Sequence, residues 1–233
     1  MNKIFITGDT HGNFTRLSHK NWPEGKTLDK DDFVIICGDF GGIWLNKSDK
    51  DEIYKLNWLN EKPWTTLFVD GNHENFIRLN RLPKKEKFGG LVGEVRESIL
   101  HLRRGQIYYI AGKLFFAFGG GKSIDKIWRT PFISWWPEEE PTTKELDNGL
   151  LNLQSYFNRV DYVITHTAPE SILKKLGEIA LRDYGEKKES LTKYFEHVML
   201  TTNFDRWFFG HFHEDGKVGE KFQALYKSIV QIQ

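Results

Sequence analysis

Seven side chains that can offer an electron pair to a cation stand on five turns, each following a short apolar run: Asp9 and His11, Asp39, Asn72, His166, and His211 with His213. His73 follows Asn72 directly, and five of the eight histidines fall on these turns, which scattered placement would not produce. Two carboxylates, one amide oxygen and four imidazoles make a mixed N/O set without a thiolate. Such a set suits Mn first, with Fe or Zn as alternatives, because Mg and Ca prefer all-oxygen shells. Seven donors are too many for one tetrahedral ion with an open position. They suit two divalent ions about 3.5–4 Å apart sharing a carboxylate, an arrangement used for in-line displacement at phosphorus.

The elements that must position these turns can be read in order. Lys3 to Thr7, Phe33 to Cys37 and Thr66 to Val69 read as buried strands, with a short helix at Phe14 to His19 and another at Asp49 to Lys62 before Pro63. The strands lack polar alternation, which suits a sheet covered on both faces, and their alternation with helices predicts an α/β or layered α+β fold. Ser98 to Leu102, Gln106 to Ile110 and Lys113 to Phe118 read as strands, with Arg103-Arg-Gly105 and Ala111-Gly112 as hairpin separators. Gly119-Gly-Gly121 opens an irregular Trp- and Pro-rich loop to about residue 141, expected as an ordered lid hinged on the glycines, with Trp128, Trp135 or Trp136 free to stack on substrate. Thr142-Thr-Lys-Glu145 predicts a capping box for a helix to about Phe157. A strand at Val160 to Thr165, a helix from Glu170 to Met199 interrupted near Gly185, a strand at Arg206 to Phe209 and two closing strands follow. No repeat or boundary appears, so residues 1–233 are expected as one domain.

In order, Gly8-Asp-X-His11, Gly38-Asp39, Gly71-Asn-His-Glu74, the strand-terminal His166 and Gly210-His-X-His213 resemble the motif set of the calcineurin-like metallophosphoesterases, spanning residues 9 to 213. The resemblance implies an αββα four-layer sandwich of two mixed sheets flanked by helices. It implies that Asp9, His11 and His213 hold one ion, that Asn72, His166 and His211 hold the other, and that Asp39 bridges them. His73 would stay off the ions and protonate the leaving oxygen while a bridging hydroxide attacks phosphorus in line. His211 and His213 alternate along the chain, so both reach one centre only where the backbone is irregular. The expected partner is a phosphorylated substrate. A monoester of a phosphoprotein or small metabolite is favoured by the Gly71-Asn-His-Glu74 turn, with a phosphodiesterase on a nucleotide or nucleic acid as one alternative and a non-catalytic metal-binding interaction scaffold as another. One branch of the family follows its second motif with a phosphate-binding Arg. Here Gly41 and Gly42 stand there, and Arg129 is the first substitute for gripping phosphate.

A net charge of +1 argues against an extended nucleic-acid footprint. The single Cys37 excludes an internal disulfide and fits a reducing compartment. With no signal-peptide pattern and no run long enough to span a bilayer, a cytoplasmic location without a membrane partner is expected. Glu74 reads as a first-turn acid of the next helix and Asp70 as structural. His19, His101 and His197 read as surface or packing residues, and Lys84-Lys-Glu-Lys87 as a solvated face.

Overall fold

The computed structural model describes residues 2–177 and 190–233. Among them, two sheets lie face to face. The first contains β1 (Ile4–Thr7), β2 (Phe33–Ile36), β3 (Thr65–Phe68), β4 (Lys84–Lys87), β5 (Gly90–Arg96), β6 (Ile99–Leu102) and β13 (Ile229–Gln231). Its order is β13-β1-β2-β3-β6-β5-β4. The second contains β7 (Gln106–Ile110), β8 (Lys113–Phe118), β9 (Tyr162–Thr165), β10 (Arg206–Phe209), β11 (Gly216–Val218) and β12 (Phe222–Ala224), in the order β11-β12-β10-β9-β8-β7. Each sheet has a parallel centre, β1-β2-β3-β6 in one and β8-β9-β10-β12 in the other, with antiparallel edges.

Neighbouring residues in these strands face two different cores. Ile4, Ile6, Ile35, Leu67 and Leu100 meet Tyr108, Phe115, Ile164 and Phe208 between the sheets. Phe5, Val34, Ile36 and Phe68 point the other way, onto α1 (Lys50–Asn60) and α2 (Phe76–Asn80) through Leu56, Leu59, Phe76 and Leu79. On the far side Phe116, Val163, Trp207 and Phe209 pack against α3 (Thr143–Ser155), α4 (Glu170–Leu176) and α5 (Ser190–Thr201). The order is helix, sheet, sheet, helix, the sandwich expected. It also explains why the strands show no polar alternation: both faces are buried.

The helix starts agree with their chemistry. Asp49 accepts the Glu52 N–H at 2.8 Å, and Thr142 forms the reciprocal capping box with Glu145. The expected helix from Glu170 to Met199 is met at its ends by α4 and α5, and its interruption near Gly185 lies outside the described residues.

Several expectations are corrected. Arg103-Arg-Gly105 does not close a hairpin: β6 and β7 belong to different sheets, and these three residues carry the chain between them. Phe14 to His19 contains one 3-10 turn, Thr15–Leu17. Lys84-Lys-Glu-Lys87 is exposed but is an edge strand paired with β5. Charged side chains on an edge strand guard it against pairing with another chain.

The sheet-to-sheet passage is held by a buried charge cluster. Asp70, just past β3, accepts from Arg104 at 2.8 and 2.6 Å and contacts His101 Nε2 at 2.9 Å. Burial alone would raise the Asp70 pKa, but Arg104 and His101 outweigh it and hold the carboxyl well below the usual carboxylate range. The folded pKa lies below the unfolded value of about 3.9, so this stabilisation is present above that pH and is lost as pH falls through the folded value. Arg104→Ala leaves the carboxylate buried without its cation. That costs about 3–5 kcal/mol, or a melting temperature lower by roughly 6–20 °C for a chain this long. Thermal melts at pH 7 and pH 4 check both halves: the variant's deficit should shrink at pH 4, where protonating Asp70 removes the uncompensated charge.

Candidate metal centre

Every expected donor sits just past the C-terminal end of a parallel strand. Asp9 and His11 follow β1, Asp39 follows β2 and Asn72 with His73 follows β3. From the opposite sheet, His166 follows β9 and His211 with His213 follows β10. Strand carboxyl ends are where open α/β sheets gather ligands. Here two sheets do so towards one point.

The turns bend sharply to deliver these side chains. His11, Asp39, His211 and His213 all have positive φ, at 47°, 45°, 72° and 53°. Such left-handed geometry is uncommon away from glycine and costs energy that the surroundings must supply. The segment at His211 and His213 is therefore not a regular strand, and strict alternation of their side chains does not apply there. Gly38 (φ 88°) and Gly71 leave room for the polar groups: a Cβ at Gly38 would overlap the His166 ring, and one at Gly71 would overlap the Asp39 carboxylate.

Two clusters of lone pairs result. In one, His11 Nε2 faces His213 Nε2 at 3.0 Å, with Asp9 Oδ2 at 3.3 Å from His213 and 3.9 Å from His11. In the other, His166 Nε2 lies 3.1 Å from Asn72 Oδ1 and 3.3 Å from Asp39 Oδ1. Asp39 Oδ2 lies 3.7 Å from His11 Nδ1, so one carboxylate touches both clusters. His166 Nδ1 faces the Cys37 carbonyl at 2.9 Å; a carbonyl only accepts, so Nδ1 carries a hydrogen and Nε2 is the nitrogen directed inward. Hydrogens on the rings can satisfy these contacts one at a time, and the same convergence of N and O donors fits divalent ions.

The electrostatics favour neutral rings at His11 and His211 but not at His213. Burial first, then His213 and other nearby cationic groups, lower the His11 pKa to about 4 against the pull of Asp9. Desolvation holds the His211 ring well below its ordinary value. His213 goes the other way, raised by its hydrogen bond to Asp9. His211 donates its backbone N–H to Asp9 at 3.0 and 3.1 Å and packs its ring on His166 at 4.7 Å. Among the described residues its ring lies outside the three groups whose ligand atoms all fall within 4.8 Å of one another: Asp9, His11 and His213; His11, Asp39 and His73; Asp9, Asp39 and His166.

Asn72 and His73 diverge. The His73 ring turns from Asn72 towards His11 (5.0 Å between centroids) and stacks on Trp44 (5.6 Å). Its backbone N–H donates to Asp39 Oδ1 at 2.7 Å. Arg129 lies against it, Nη1 at 3.5 Å from Nδ1 and Nη2 at 3.2 Å from Nε2. A guanidinium this close to the ring opposes a dication on it by like-charge repulsion, although one ring nitrogen falls within 4.8 Å of ligand atoms of His11 and Asp39. Arg129 is itself aimed by Asp125, at 2.6 and 2.7 Å, and by the Ser134 carbonyl at 3.0 Å.

Sequence reasoning missed part of the support. Glu74 is not a first-turn acid of α2, which starts at Phe76 behind an Asn75 N-cap. Its buried Oε1 instead accepts the Phe40 N–H at 2.7 Å and the Gly41 N–H at 3.4 Å, holding the turn that carries Asp39. Gly119-Gly-Gly121 is anchored: Gly120 N–H donates to the Asp70 carbonyl (2.9 Å) and Gly121 N–H to the Glu139 carbonyl (3.2 Å). Of the three tryptophans expected to meet substrate, Trp136 is fully buried against Trp44, Trp135 lies under Lys126, and Trp128 is exposed. A cleft of about 650 Å³, lined in part by Asp9, His11, Arg16, Tyr226 and Lys227, borders the first of the two donor clusters.

Comparison with known proteins agrees with this geometry. A family model described as calcineurin-like phosphoesterase matches residues 2–215. No curated protein matches the sequence. The crystal structure of TT1561 of Thermus thermophilus is similar in fold, with a TM-score of 0.50 and 12% identity over 99% of this chain and 97% of that one. Among the described residues no helix is long and apolar enough to cross a membrane.

Proposed function

The chain belongs to the calcineurin-like phosphoesterase family, and from that premise we propose that it is a phosphomonoesterase with a two-metal centre held by Asp9, His11, Asp39, Asn72, His166, His211 and His213. The observation that carries this reading is the placement of His73 and Arg129 together at the edge of the donor clusters, a proton donor beside an oriented guanidinium. Bound at the centre, two divalent ions, Mn before Fe or Zn, would neutralise phosphate charge and activate a water for attack.

The chain's own residues do the rest. Asp39 puts one negative charge between the two clusters. His166, pinned through Nδ1 to Cys37, keeps Nε2 directed inward. Arg129 offers a forked cation to the phosphate oxygens, which suits a dianionic monoester better than a diester's single charge. His73 holds the proton for the leaving oxygen. Burial first, then Arg129, lower its pKa in the free protein, while Asp39 raises it. A phosphate dianion arriving beside the ring, and drawing Arg129 onto itself, shifts the balance back towards imidazolium. The substrate is accordingly a small phosphorylated metabolite or a phosphoprotein.

Hydrolysis of an aryl phosphate monoester and of the matching diester, each with Mn²⁺, tests the reading. Monoester turnover should dominate. Diester-only turnover would replace it with a phosphodiesterase, for which the cleft beside His11 leaves room, and two bound ions with no turnover of either would leave a binding scaffold. Arg129→Met is expected to raise KM for the monoester about 10–100-fold, as losing a charged hydrogen bond of about 1.5–3 kcal/mol would. It should also raise the His73 pKa, read from the ring proton shifts, because a neighbouring cation is gone.

A further inference from the structure

An asparagine can give a cation only its oxygen, so the Asn72 amide must face one way. Its two ends are almost the same shape, and packing alone does not choose between them. Ser123 chooses. Asn72 Nδ2 lies 3.2 Å from Ser123 Oγ, and Ser123 Oγ lies 2.6 Å from Glu139 Oε2. Ser123 also donates its backbone N–H to Glu139 Oε1 at 2.9 Å, so the carboxylate accepts from Ser123 on both oxygens.

A hydroxyl has one hydrogen. With that hydrogen given to Glu139, Oγ can only accept, and only the NH₂ end of Asn72 can donate to it. The amide oxygen is thereby turned towards His166 Nε2, 3.1 Å away. Asn72, Ser123 and Glu139 are all buried, Glu139 completely, so solvent does not substitute for any link. The far end is fixed as well: the Glu139 carbonyl accepts from Gly121 N–H at 3.2 Å and from Arg104 at 3.3 Å.

We propose that Ser123 and Glu139 are positioning residues, a relay from the segment between β8 and α3 that fixes the Asn72 amide with its oxygen on the metal side. The proposal rests on the reading of Asn72 as a metal ligand. It gives the segment at 119–141 a task in building the centre, separate from any contact with substrate.

Calorimetric titration of metal-stripped protein with Mn²⁺ tests it, on wild type, Ser123→Ala, Ser123→Thr and Glu139→Gln, with thermal melts of the stripped proteins alongside. Glu139→Gln keeps the shape but puts an NH₂ against one of the two Ser123 hydrogens, so the relay either loses a bond or reverses. Ser123→Ala and Glu139→Gln are expected to weaken one of the two Mn²⁺ sites about 10–100-fold, the usual loss when the partner of a ligand is removed. The other site should change little, and Ser123→Thr, which keeps the hydroxyl, should retain affinity at both. Unchanged affinity in Ser123→Ala and Glu139→Gln overturns the relay. So does equal weakening of both sites with a lower melting temperature in all three variants, which marks a packing role. Wild type that takes up no Mn²⁺ overturns the metal reading beneath, before any variant is compared.

Discussion

Asp39→Asn is expected to lose bound metal and with it about 10³-fold or more in kcat/KM. Asp39 Oδ1 is 3.3 Å from His166 Nε2 and accepts the His73 N–H at 2.7 Å, while Oδ2 faces His11 Nδ1 at 3.7 Å. Asp9 approaches His166 too, but only at 3.9 Å, and both its oxygens already accept the His211 N–H. Asn at position 39 keeps the outline and one oxygen, but it removes the negative charge that allows two dications to sit side by side, and it turns amide hydrogens towards lone pairs. Charge stabilisation of several kcal/mol is at stake, and each 1.36 kcal/mol is tenfold in rate. Elemental analysis after dialysis should find close to two ions per wild-type chain and fewer than one in the variant, with circular dichroism unchanged. Two ions retained at wild-type activity would remove Asp39 from the bridging position.

His73→Ala should lower kcat by about 10²–10⁴-fold, the range for a lost general acid, while both ions stay bound. Its signature is dependence on the leaving group. An aryl oxide departs without much help, whereas an alkoxide needs the proton, so the loss should be far larger for an alkyl phosphate than for an aryl phosphate. Equal losses on both substrates, or ions missing from the variant, would turn His73 into a ligand or a packing residue. The positive charge of Arg129 beside the ring opposes a dication on it.

The donors were legible in the sequence because a metal centre restricts residue type and spacing at once. Asp9, Asp39, Asn72 and His211 each follow a glycine at a strand end, and no ordinary turn needs that combination repeatedly. The supports were not legible. Ser123, Glu139, Glu74 and Asp125 are common loop and helix-start residues, and their partners are 16 or 51, 16, 34 and 4 positions away in the bonds described above. Only Asp125 to Arg129 is local enough to be read along the chain. In the fold, β1, β2, β3, β8 and β10 stood out as apolar runs. The β4–β5 hairpin did not, because β4 is a run of charge and β5 carries two glycines. The exchange of sheets at Arg103-Arg-Gly105 has no local sign either. Its turn-like composition also suits a hairpin, and distant pairing decides the matter: Ile99 of β6 pairs with Thr66, and Phe115 of β8 with Tyr162.

The division of the donors between two sheets has a consequence for the order in which the protein comes to life on the ribosome. Asp9, His11, Asp39 and Asn72 emerge within the first third of the chain, but His166 and then His211 and His213 come from the second sheet. Synthesis runs N-terminal first, at about 5–20 residues per second, so Asn72, the last of the early donors, waits roughly 7–28 seconds for His213, and Asp9 roughly 10–40 seconds. Until His213 has left the exit tunnel and the two sheets have docked, there is only half a chelate. On the proposed ligand set, metal capture would be a late event, and a chain holding both ions would have both sheets folded and together.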